Sequence, residues 1–505
     1  MPPSTKIKDI NELASLLPGL RAGKTIVQCH GVFDLMHVGH IRHFQEARKA
    51  GDVLVVTITP DRHVNKGPHR PVFTESLRAE AIASLECVDY VAVNKWPTAV
   101  EAIELIKPDR YAKGSDYKDP AADITGGITQ ERRSVESFGG ELIFTDEITF
   151  SSSSLLNRHL SVFPDDVNQY LAGFRESHPI EEITGYLKEA GKLKVLVVGE
   201  AIVDEYQYCE TLGKSGKEPI LAAQFIRSER YIGGSLAIAN HVASCSAAVT
   251  VLALIGTEDS HERFIRSKLS ANVTAELIQM PGAPTLVKRR FIETYPFQKL
   301  FEVYIMDEDA AAARSEDVCD ALRRLVPQAD VVVVADYGHG MLCAEAVKIL
   351  CDQSRYLAVN VQVNAGNHGF NTVSKFNRAD FVSLSEREIR LEARNSSGDL
   401  REIVQSVADE LHCKNVLITR GSRGCLCYGA DGFFEVPGFA LRTVDRVGAG
   451  DAVFSVASLC AALGAPSEVI GFLGNAVGTQ AVGIVGNERF IERAPLMKHI
   501  EALLK

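Results

Sequence analysis

Two histidines, His37 and His40, lie in the segment 31–40, which reads GVFDLMHVGH. An apolar run at 25–29 precedes the segment and residues 39–50 have helical spacing, so the histidines fall between a predicted strand and a predicted helix. Glycines permit close backbone approach, a helix start offers free N–H groups, and imidazoles can meet charge that develops on a phosphoryl group. The pattern indicates a phosphate site, although such a histidine pair is by itself more often a cap and a surface residue.

A second candidate phosphate site lies near the C-terminus, where residues 444–452 read VDRVGAGDA. The turn formed by Gly448, Ala449 and Gly450 precedes a predicted helix and would present successive N–H groups to an anion. Asp451, at the edge of that turn, is placed to accept the proton of a hydroxyl that attacks a γ-phosphate. A lone Gly-x-Gly-Asp is more often only a helix-starting turn, so the surrounding elements decide its meaning.

Both segments lie within alternating strand and helix patterns. Continuous apolar strands separated by helices predict parallel sheets that are covered on both faces, so we expect an α/β protein. The strands are expected at 25–29, 52–59, 90–93, 109–112 and 141–145, and then at 193–199, 249–255, 331–335, 356–361, 381–384 and 415–419, with a hairpin over 425–436 and a helical tail from 449. We expect three parts: a domain at 1–160, a helical linker at 161–192 and a larger domain at 193–505.

The composition is that of a globular chain. The 505 residues are 46% hydrophobic and 24% charged, with a formal net charge of −11 and no long block of one sign. These values argue against wholesale disorder, and against nucleic acid or an anionic membrane as the main partner. No apolar run approaches the ~18 residues that cross a bilayer, and the start has no secretory h-region. The eleven cysteines are scattered, which indicates reduced thiols; we expect a cytoplasmic protein.

The first domain resembles the cytidylyltransferase-like nucleotidylyltransferases, whose signature is the His-x-Gly-His at 37–40. The likeness continues through Asp61, the Lys-Gly at 66–67, the Arg-Pro at 70–71, Arg78, the KGSDY at 113–117 and the serines at 151–154. It implies a Rossmann-like sheet with His37 and His40 as catalytic residues. Lysine and arginine side chains suit a triphosphate as counter-charges, and a serine run at a helix start can bind phosphate. The implied nucleotide-binding residues are Gly31, Phe33, Asp34, Lys66, Arg78, Lys113, Ser152 and Ser153.

The second domain resembles the ribokinase-like (PfkB) sugar kinases, with motifs in the family order from residue 199 to residue 475. The resemblance implies Asp451 as catalytic base, the turn 448–450 as oxyanion hole, and a small β lid through which such domains often pair. The implied sugar-binding residues are Asp204, Gly233, Gly234, Asn240 and Asp336, and the implied nucleotide-binding residues are Thr419, Gly421, Gly424 and Asn475. Lys288 and Arg290 share one face of a strand and suit a sugar-borne phosphate, unless they are only a solvated strand edge.

Three departures from the kinase pattern lie near the expected phosphates. Arg446 stands where the family usually has threonine, and residues 360–364 read NVQVN where related heptose kinases have Asp-Pro-Lys. In the Asn-x-x-Glu motif, which helps to organise Mg²⁺, Ser383 replaces the asparagine and Glu386 is the expected metal-binding glutamate. These changes are compatible with altered metal handling, a different acceptor or weakened kinase activity.

The two domains together resemble the bifunctional heptose-phosphate kinase/nucleotidylyltransferases, with the domain order reversed. The resemblance implies phosphorylation of a sugar or sugar phosphate by ATP, then nucleotidyl transfer from ATP or CTP to give a nucleotide-activated, ADP-heptose-like sugar for surface glycans. It implies Mg²⁺, leaves room for a monovalent cation, and favours a homodimer or higher oligomer. An alternative is a polyol- or sugar-phosphate cytidylyltransferase with a degenerate, regulatory kinase domain. A third is a non-enzymatic scaffold, against which the intact phosphate-site glycines and Asp451 argue.

Overall fold

The structure is a computed structural model that describes residues 3–64, 70–115, 127–145, 163–367 and 369–504. Packing divides the chain into two units, one of Met1–Leu171 with Ala494–Lys505 and one of Ala172–Arg493. Both units alternate strands and helices, which confirms the predicted α/β class. The predicted domain limits at 160, 192 and 505 stay predictions. In the described part of the chain no helix combines the length and the apolar character needed to cross a membrane.

The first unit is built on a six-stranded parallel sheet with the order β1-β4-β3-β2-β5-β6. Its two central strands, β2 and β3, are almost wholly buried, as expected of a parallel sheet with helices on both faces. The elements are α1 (Pro3–Lys6), β1 (Ile7–Lys8), α2 (Ile10–Leu20), β2 (Ile26–Gly31), α3 (Val38–Lys49), β3 (Val53–Ile58), α4 (Glu75–Ala83), β4 (Tyr90–Val93), α5 (Val100–Ile106), β5 (Arg110–Gly114), α6 (Gly127–Glu136) and β6 (Glu141–Thr145). All five strands predicted between residues 25 and 145 are confirmed.

Two helices, α7 (Asp165–Ser177) and α8 (Ile180–Glu189), occupy the expected linker, which is helical as its spacing predicts. Pro179 precedes α8, where a missing N–H costs nothing because a first-turn donor has no partner within the helix. Ile183 and Leu187, one turn apart, are buried. The segment is therefore packed along one face rather than surrounded by solvent.

The second unit has a nine-stranded sheet with the order β11-β10-β7-β14-β15-β16-β17-β18-β19, parallel except at the β17–β18–β19 end. A second, four-stranded sheet has the order β13-β12-β8-β9 and matches the expected lid. The predicted hairpin is confirmed as β18 and β19. The carboxyl ends of β7 and β14 lie side by side, because Ala335 pairs with Gly199, and so the motifs that follow them meet at one sheet edge.

The elements of the second unit are β7 (Lys194–Gly199), β8 (Ala201–Lys214), β9 (Leu221–Gly234), α9 (Ser235–Ala243), β10 (Ala248–Glu258), α10 (Glu262–Lys268), β11 (Val273–Pro284), β12 (Val287–Glu293), β13 (Gln298–Ile305), α11 (Glu308–Ala312), α12 (Ser315–Leu325), β14 (Val331–Asp336), α13 (Ala344–Gln353), β15 (Leu357–Val361), β16 (Phe381–Ser385), α14 (Glu386–Glu392), α15 (Leu400–Glu410), β17 (Asn415–Thr419), β18 (Cys425–Gly429), β19 (Gly432–Val436), α16 (Ala449–Ala462) and α17 (Ser467–Ala481). The last helix, α18 (Arg493–Leu504), is grouped almost entirely with the first unit.

Candidate active sites

His37 and His40 meet at the start of α3, just beyond the carboxyl end of β2. His37 is the N-cap, and its Nδ1 accepts a hydrogen bond from the N–H of Gly39 at 3.1 Å. The two imidazole rings stack with centroids 3.9 Å apart. Phe33 packs edge-on against His40 and has a φ of 48°, and a Cβ on Gly31 would come within 2.9 Å of the Phe33 ring. The structure thus brings both histidines to a helix N-terminus, where an anion is stabilised.

Asp34 is buried and its carboxylate is engaged by the protein. It accepts hydrogen bonds from the N–H groups of Val72 (2.7 Å) and Phe73 (3.2 Å) and forms an ion pair with Arg70 at 3.0 Å. A carboxylate would also repel a triphosphate. Asp34 therefore holds residues 70–73 beside the histidine turn, and its nucleotide contact stays a prediction.

Arg78 is likewise a buried clamp rather than the triphosphate counter-charge that the sequence predicts. Its guanidinium donates to three backbone carbonyls, of Val32 (2.5 Å), Thr59 (2.9 Å) and Phe73 (3.0 Å), and pairs with Asp61 at 2.5 Å. Its side chain is 0% exposed, so the guanidinium offers no open face to a ligand. The planar fork of an arginine suits this task because it can satisfy several acceptors at once.

Lys113 lies at the end of β5, is buried, and pairs with Glu131 at 2.8 Å. Two histidines that sequence reasoning missed lie in its field. Burial lowers the pKa of His30 to about 3 and that of His43 to about 4, and the charge of Lys113 adds to both shifts. His43 lies one helical turn beyond His40, a spacing that could have identified it. His30 and His43 are both neutral at pH 7, so the positive charge among these three residues lies on Lys113.

Lys66, Ser152 and Ser153, predicted to bind the nucleotide, lie outside the described residues. The described part of the first site therefore consists of the histidine pair, the loop that Asp34 and Arg78 hold, and Lys113. It can stabilise negative charge on a phosphoryl group but presents no nucleophile of its own. This is the chemistry expected of a site where the substrate's phosphate oxygen is the attacking atom.

In the second unit, Gly448 and Asp451 form the second predicted phosphate site. Gly448 has a φ of 77°, and a Cβ there would lie 2.1 Å from Oδ1 of Asn487, so only glycine fits. The turn leads directly into α16, whose first residues are Ala449 and Gly450. The N–H of Ala449 donates to the carbonyl oxygen of Arg446 at 3.4 Å. Asp451 lies in the first turn of the same helix, where N–H groups have no partner within the helix.

The carboxyl group of Asp451 is tuned towards neutrality. Its Oδ1 accepts a hydrogen bond from the hydroxyl of Tyr337 at 2.9 Å. Burial raises the pKa of Asp451 to about 7, and the negative charges of Asp204 and Glu388 add to the rise, while Tyr337 and the charge of Lys288 oppose it. A carboxylate with such a pKa is well matched to accept a proton near pH 7.

Two cations of β12 share one face of the strand, as their predicted parity requires, and the charge of Lys288 acts on Asp451. Arg290 forms ion pairs with Asp204 and, at 3.2 Å, with Glu302. Lys288 is buried, and its Nζ lies 5.1 Å from the Tyr304 ring centroid and 5.5 Å from that of Tyr337. Burial lowers the pKa of Lys288. Within the described residues Lys288 has no carboxylate at ion-pair distance, which leaves its charge for a ligand.

The glycines predicted to line the sugar pocket are required by close packing. A Cβ on Gly233 would lie 2.1 Å from Oδ2 of Asp204, and one on Gly234 would lie 2.5 Å from the carbonyl oxygen of Glu200. Gly234 also has a φ of 58° and directly precedes α9. They let β9 approach Asp204, so that Asp204, Lys288 and Arg290 lie together.

The loop after β14 is held by protein carboxylates. Glu200 accepts hydrogen bonds from the N–H groups of Tyr337 and His339, both at 3.0 Å. Burial raises the pKa of Glu200 to about 7, and neighbouring Asp336 adds to the rise. Asp336 itself accepts from the N–H of Gly338 at 2.9 Å and pairs with Lys375. The carboxylate of Asp336 thus shapes the loop, and its sugar contact stays a prediction. Lys375 is a basic residue that the motifs did not indicate.

Two asparagines predicted to bind ligands make hydrogen bonds to the backbone, and their ligand contacts stay predictions. Asn240 donates to the carbonyl oxygen of Lys268 (2.8 Å) and accepts from the N–H of Ser270 (2.9 Å). Asn475 donates to the carbonyl oxygens of Val436 (3.1 Å) and Pro437 (3.2 Å). These contacts direct both amides at backbone groups of the unit.

The loop predicted to contact nucleotide phosphates follows β17. Thr419 donates to the carbonyl oxygen of Leu384 at 3.5 Å, and Gly421 and Gly424 both have positive φ. A Cβ on Gly424 would lie 2.0 Å from the carbonyl oxygen of Val436, so this turn depends on glycine. The geometry explains the glycines structurally, and the nucleotide contact stays a prediction.

The residues present do not fit the predicted metal role of Glu386. Burial raises the pKa of Glu386, but Arg390 and Arg423 outweigh this effect and hold the pKa below its usual value. They do so because both guanidinium groups pair with the carboxylate. A carboxylate so neutralised is a poor ligand for a divalent cation. Glu388, two residues on, is the glutamate whose charge reaches Asp451. Within the described residues no group of three or more acidic, histidine or cysteine side chains is arranged to hold a metal ion.

The geometry agrees with comparisons to known proteins. Residues 192–492, more than half of the chain, match the family model described as pfkB family carbohydrate kinase. The chain belongs to the pfkB family of carbohydrate kinases. Residues 29–158 of this kinase-family chain match a second model, described as cytidylyltransferase-like, so the predicted combination of two domain types is confirmed.

Similar curated proteins carry the name "Bifunctional protein HldE". The one from Rhodopseudomonas palustris (strain BisA53) is 28% identical over 301 residues, which are 58% of this chain and 60% of that protein. The one from Syntrophotalea carbinolica is 39% identical over 136 residues, 26% of each chain. The chain thus spans between about a quarter and three fifths of these relatives. A crystal structure of Escherichia coli phosphofructokinase-2 with fructose-6-phosphate has a TM-score of 0.50 at 14% identity and covers 62% of this chain and 100% of its own, which supports the fold.

Proposed function

We propose that this pfkB-family chain is a bifunctional enzyme that phosphorylates a sugar or sugar phosphate and then nucleotidylates the product. The proposal is carried by Asp451, a carboxylate with a pKa of about 7 at the N-terminus of α16, on which the charge of Lys288 acts. The cytidylyltransferase-like match and the stacked histidines supply the second activity. The HldE relatives favour a heptose phosphate as substrate and ATP as nucleotide donor, with CTP as the other candidate.

In the first step Asp451 takes the proton of a sugar hydroxyl while the hydroxyl oxygen bonds to the γ-phosphorus of Mg·ATP. The bond from that phosphorus to the β-phosphate bridging oxygen breaks, and ADP leaves. The N–H groups of the 448–450 turn meet the charge on the transferred group. Lys288 and Arg290 hold an anionic substituent of the sugar, and Mg²⁺ enters as part of the nucleotide substrate.

In the second step an oxygen of the new phosphate attacks the α-phosphorus of ATP or CTP, and pyrophosphate leaves. The reacting oxygen is already ionised, so no general base is needed. His37 and His40, at the N-terminus of α3, stabilise the charge that passes to the leaving group. Lys113 contributes a fixed positive charge at the end of β5.

The test is a substrate screen on the full chain with separate readouts for ADP and pyrophosphate, with ATP and CTP each supplied as nucleotide. We expect Asp451→Asn to abolish sugar-dependent ADP release and to spare pyrophosphate release from a pre-phosphorylated sugar. His40→Ala should do the reverse. Wild-type rates of both reactions in both variants would refute the site assignment.

A second candidate is a sugar- or polyol-phosphate cytidylyltransferase whose kinase unit binds sugar without phosphorylating it. The neutralised carboxylate of Glu386 and the NVQVN segment favour this alternative. Sugar-dependent ADP release by the wild type but not by Asp451→Asn would exclude it. Pyrophosphate release with CTP and no ADP release with any sugar would establish it.

We also propose that the four-stranded sheet joins two copies of the chain. It exposes large apolar side chains on both of its edge strands, among them Leu221 and Phe225 of β9 and Phe301 and Val303 of β13. An exposed apolar patch of this kind marks an interaction surface. A dimer mass in solution that Phe225→Lys converts to a monomer mass would support the pairing, and a monomeric wild type would refute it.

A further inference from the structure

The carboxylate of Asp445 is buried just before the 448–450 turn, and the chain itself supplies a cation to it. Asp445 is 3% exposed. Nζ of Lys299 lies 2.5 Å from its Oδ1, and the hydroxyl of Tyr206 donates to its Oδ2 at 2.7 Å. Burial raises the pKa of Asp445, but these two contacts outweigh this effect and hold the pKa below its usual value. The group is an anion whose counter-ion is an ammonium from β13.

Asp445 connects the lid sheet to the turn that would bind phosphate. Lys299 belongs to β13 and Tyr206 to β8, both strands of the four-stranded sheet. The same carboxylate accepts from the N–H of Val447, inside the turn segment, at 3.2 Å and from the N–H of Gly486 at 3.0 Å. The next residue, Asn487, is the one against which Gly448 packs. The position of this carboxylate therefore fixes both the turn and the segment beside it.

An uncompensated carboxylate at this place would be costly for two reasons. A buried charge without a partner is strongly unfavourable, and a negative charge beside an anion-binding turn would repel the phosphate that the turn is built to hold. A bound monovalent cation could neutralise it. Here the Lys299 ammonium already contacts the carboxylate, and its Nζ also lies 5.6 Å from the centroid of the Tyr206 ring.

We propose that Lys299 is a positioning residue that acts as a built-in monovalent cation. Its ammonium neutralises Asp445 and holds the 448–450 turn in its binding conformation, so that the kinase unit needs no free potassium or sodium ion at this carboxylate. The expected effect of Lys299 on turnover rests on the proposed kinase function. The expected effect of Lys299 on nucleotide binding follows from the geometry of the turn alone.

The test compares three buffers whose cation is potassium, ammonium or tetramethylammonium, the last being too large for a lysine-sized space. The full chain is examined as wild type, Lys299→Met, Lys299→Arg and the double variant Lys299→Met/Asp445→Asn. The readouts are ADP affinity, from the ADP-induced shift in melting temperature, and sugar-dependent ADP release. Arg227→Met, which removes a lid cation paired with Glu229, is the matched control.

Wild type, Lys299→Arg and Arg227→Met should behave alike in all three buffers. Lys299→Met should lose at least tenfold in ADP affinity in tetramethylammonium and regain most of it in potassium or ammonium. The double variant should bind ADP better than Lys299→Met in tetramethylammonium and should not respond to the cation, because no charge is left to compensate.

Saturable activation of the wild type by potassium would overturn the proposal, as would a Lys299→Met variant that binds ADP normally or that no cation restores. Folding of Lys299→Met in potassium but not in tetramethylammonium supports it, and failure to fold in every buffer counts against it. A wild type that binds ADP but releases none with any sugar would refute the kinase proposal alone. Absence of ADP binding by the wild type would overturn this inference as well.

Discussion

Replacement of Tyr337 by phenylalanine should shift the pH dependence of the kinase reaction. The Tyr337 hydroxyl donates to Asp451 at 2.9 Å, and it favours the ionised carboxylate. A hydrogen bond to a charged group is worth about 1.5–3 kcal/mol, and one pKa unit corresponds to about 1.4 kcal/mol. The substitution should therefore raise the pKa of Asp451 from about 7 by roughly one to two units.

The sign follows from the role of Asp451 as a base. Only the ionised carboxylate accepts a proton, so kcat/KM should rise with pH through about 7 in the wild type and then level off. In Tyr337→Phe the ionised fraction at pH 7 should fall from about a half to about a tenth or less, so the rate there should drop roughly fivefold or more. Above pH 9 the two enzymes should converge. Burial and Asp451 raise the pKa of Tyr337 well above its usual value, so it remains a donor throughout.

The assay is sugar-dependent ADP release from pH 5.5 to 10, with Tyr356→Phe as the matched control. Tyr356 directly precedes β15 and has no part in the Asp451 contacts described here. Its replacement should leave the midpoint of the profile unchanged. An equal loss at every pH in Tyr337→Phe, or an unmoved midpoint, would refute the reasoning that this hydroxyl tunes the base.

Three further outcomes are expected from the first unit. His40→Ala should lower the rate of pyrophosphate release roughly 100-fold or more, because removing one preorganised group that stabilises developing charge costs about that much. Steady-state kinetics with pre-phosphorylated sugar test this expectation, and unchanged kinetics would contradict it. Arg78→Met should destabilise this unit by about 3 kcal/mol or more, because three carbonyls and Asp61 lose a buried partner. Calorimetric unfolding tests this expectation, and a loss of unfolding free energy below ~1 kcal/mol would contradict the structural role of Arg78. The unit should also lose stability as the pH falls from 6.5 towards 4, because the unfolded chain protonates His43 below about 6.5 whereas the folded chain does so only near 4. The expected slope is about 1.4 kcal/mol per pH unit for this one residue, and His43→Gln should remove it; an unaltered slope in that variant would contradict the assignment.

Local motifs account for much of the two candidate sites. The His37–His40 spacing and the Gly448–Asp451 turn are each formed within a few residues, so the strand, turn and helix that hold them can be read from a short window of sequence. The parity of Lys288 and Arg290 is also local, because alternate residues of a strand share a face. These expectations agree with the structure.

The charge state of the two candidate sites could not be predicted from short stretches of sequence. Whether an arginine serves a ligand or the protein depends on acceptors that come from other parts of the chain, as with Arg78 and the carbonyls of Val32 and Thr59. The choice between Glu386 and Glu388 depends on which side of α14 faces the arginines. A difference of two positions along this helix therefore changes the chemical role of the glutamate.

The order of apolar runs, helix-length segments and glycine turns by itself determined that this chain forms two α/β units, each with a turn suited to phosphate, because periodicity and turn chemistry act over short distances. The tertiary structure alone decided which charges are compensated. Lys299 and Asp445 are 146 residues apart in sequence, and Tyr337 and Asp451 are 114 apart. Burial and pKa depend on neighbours in space, and those neighbours exist only after the sheets have formed.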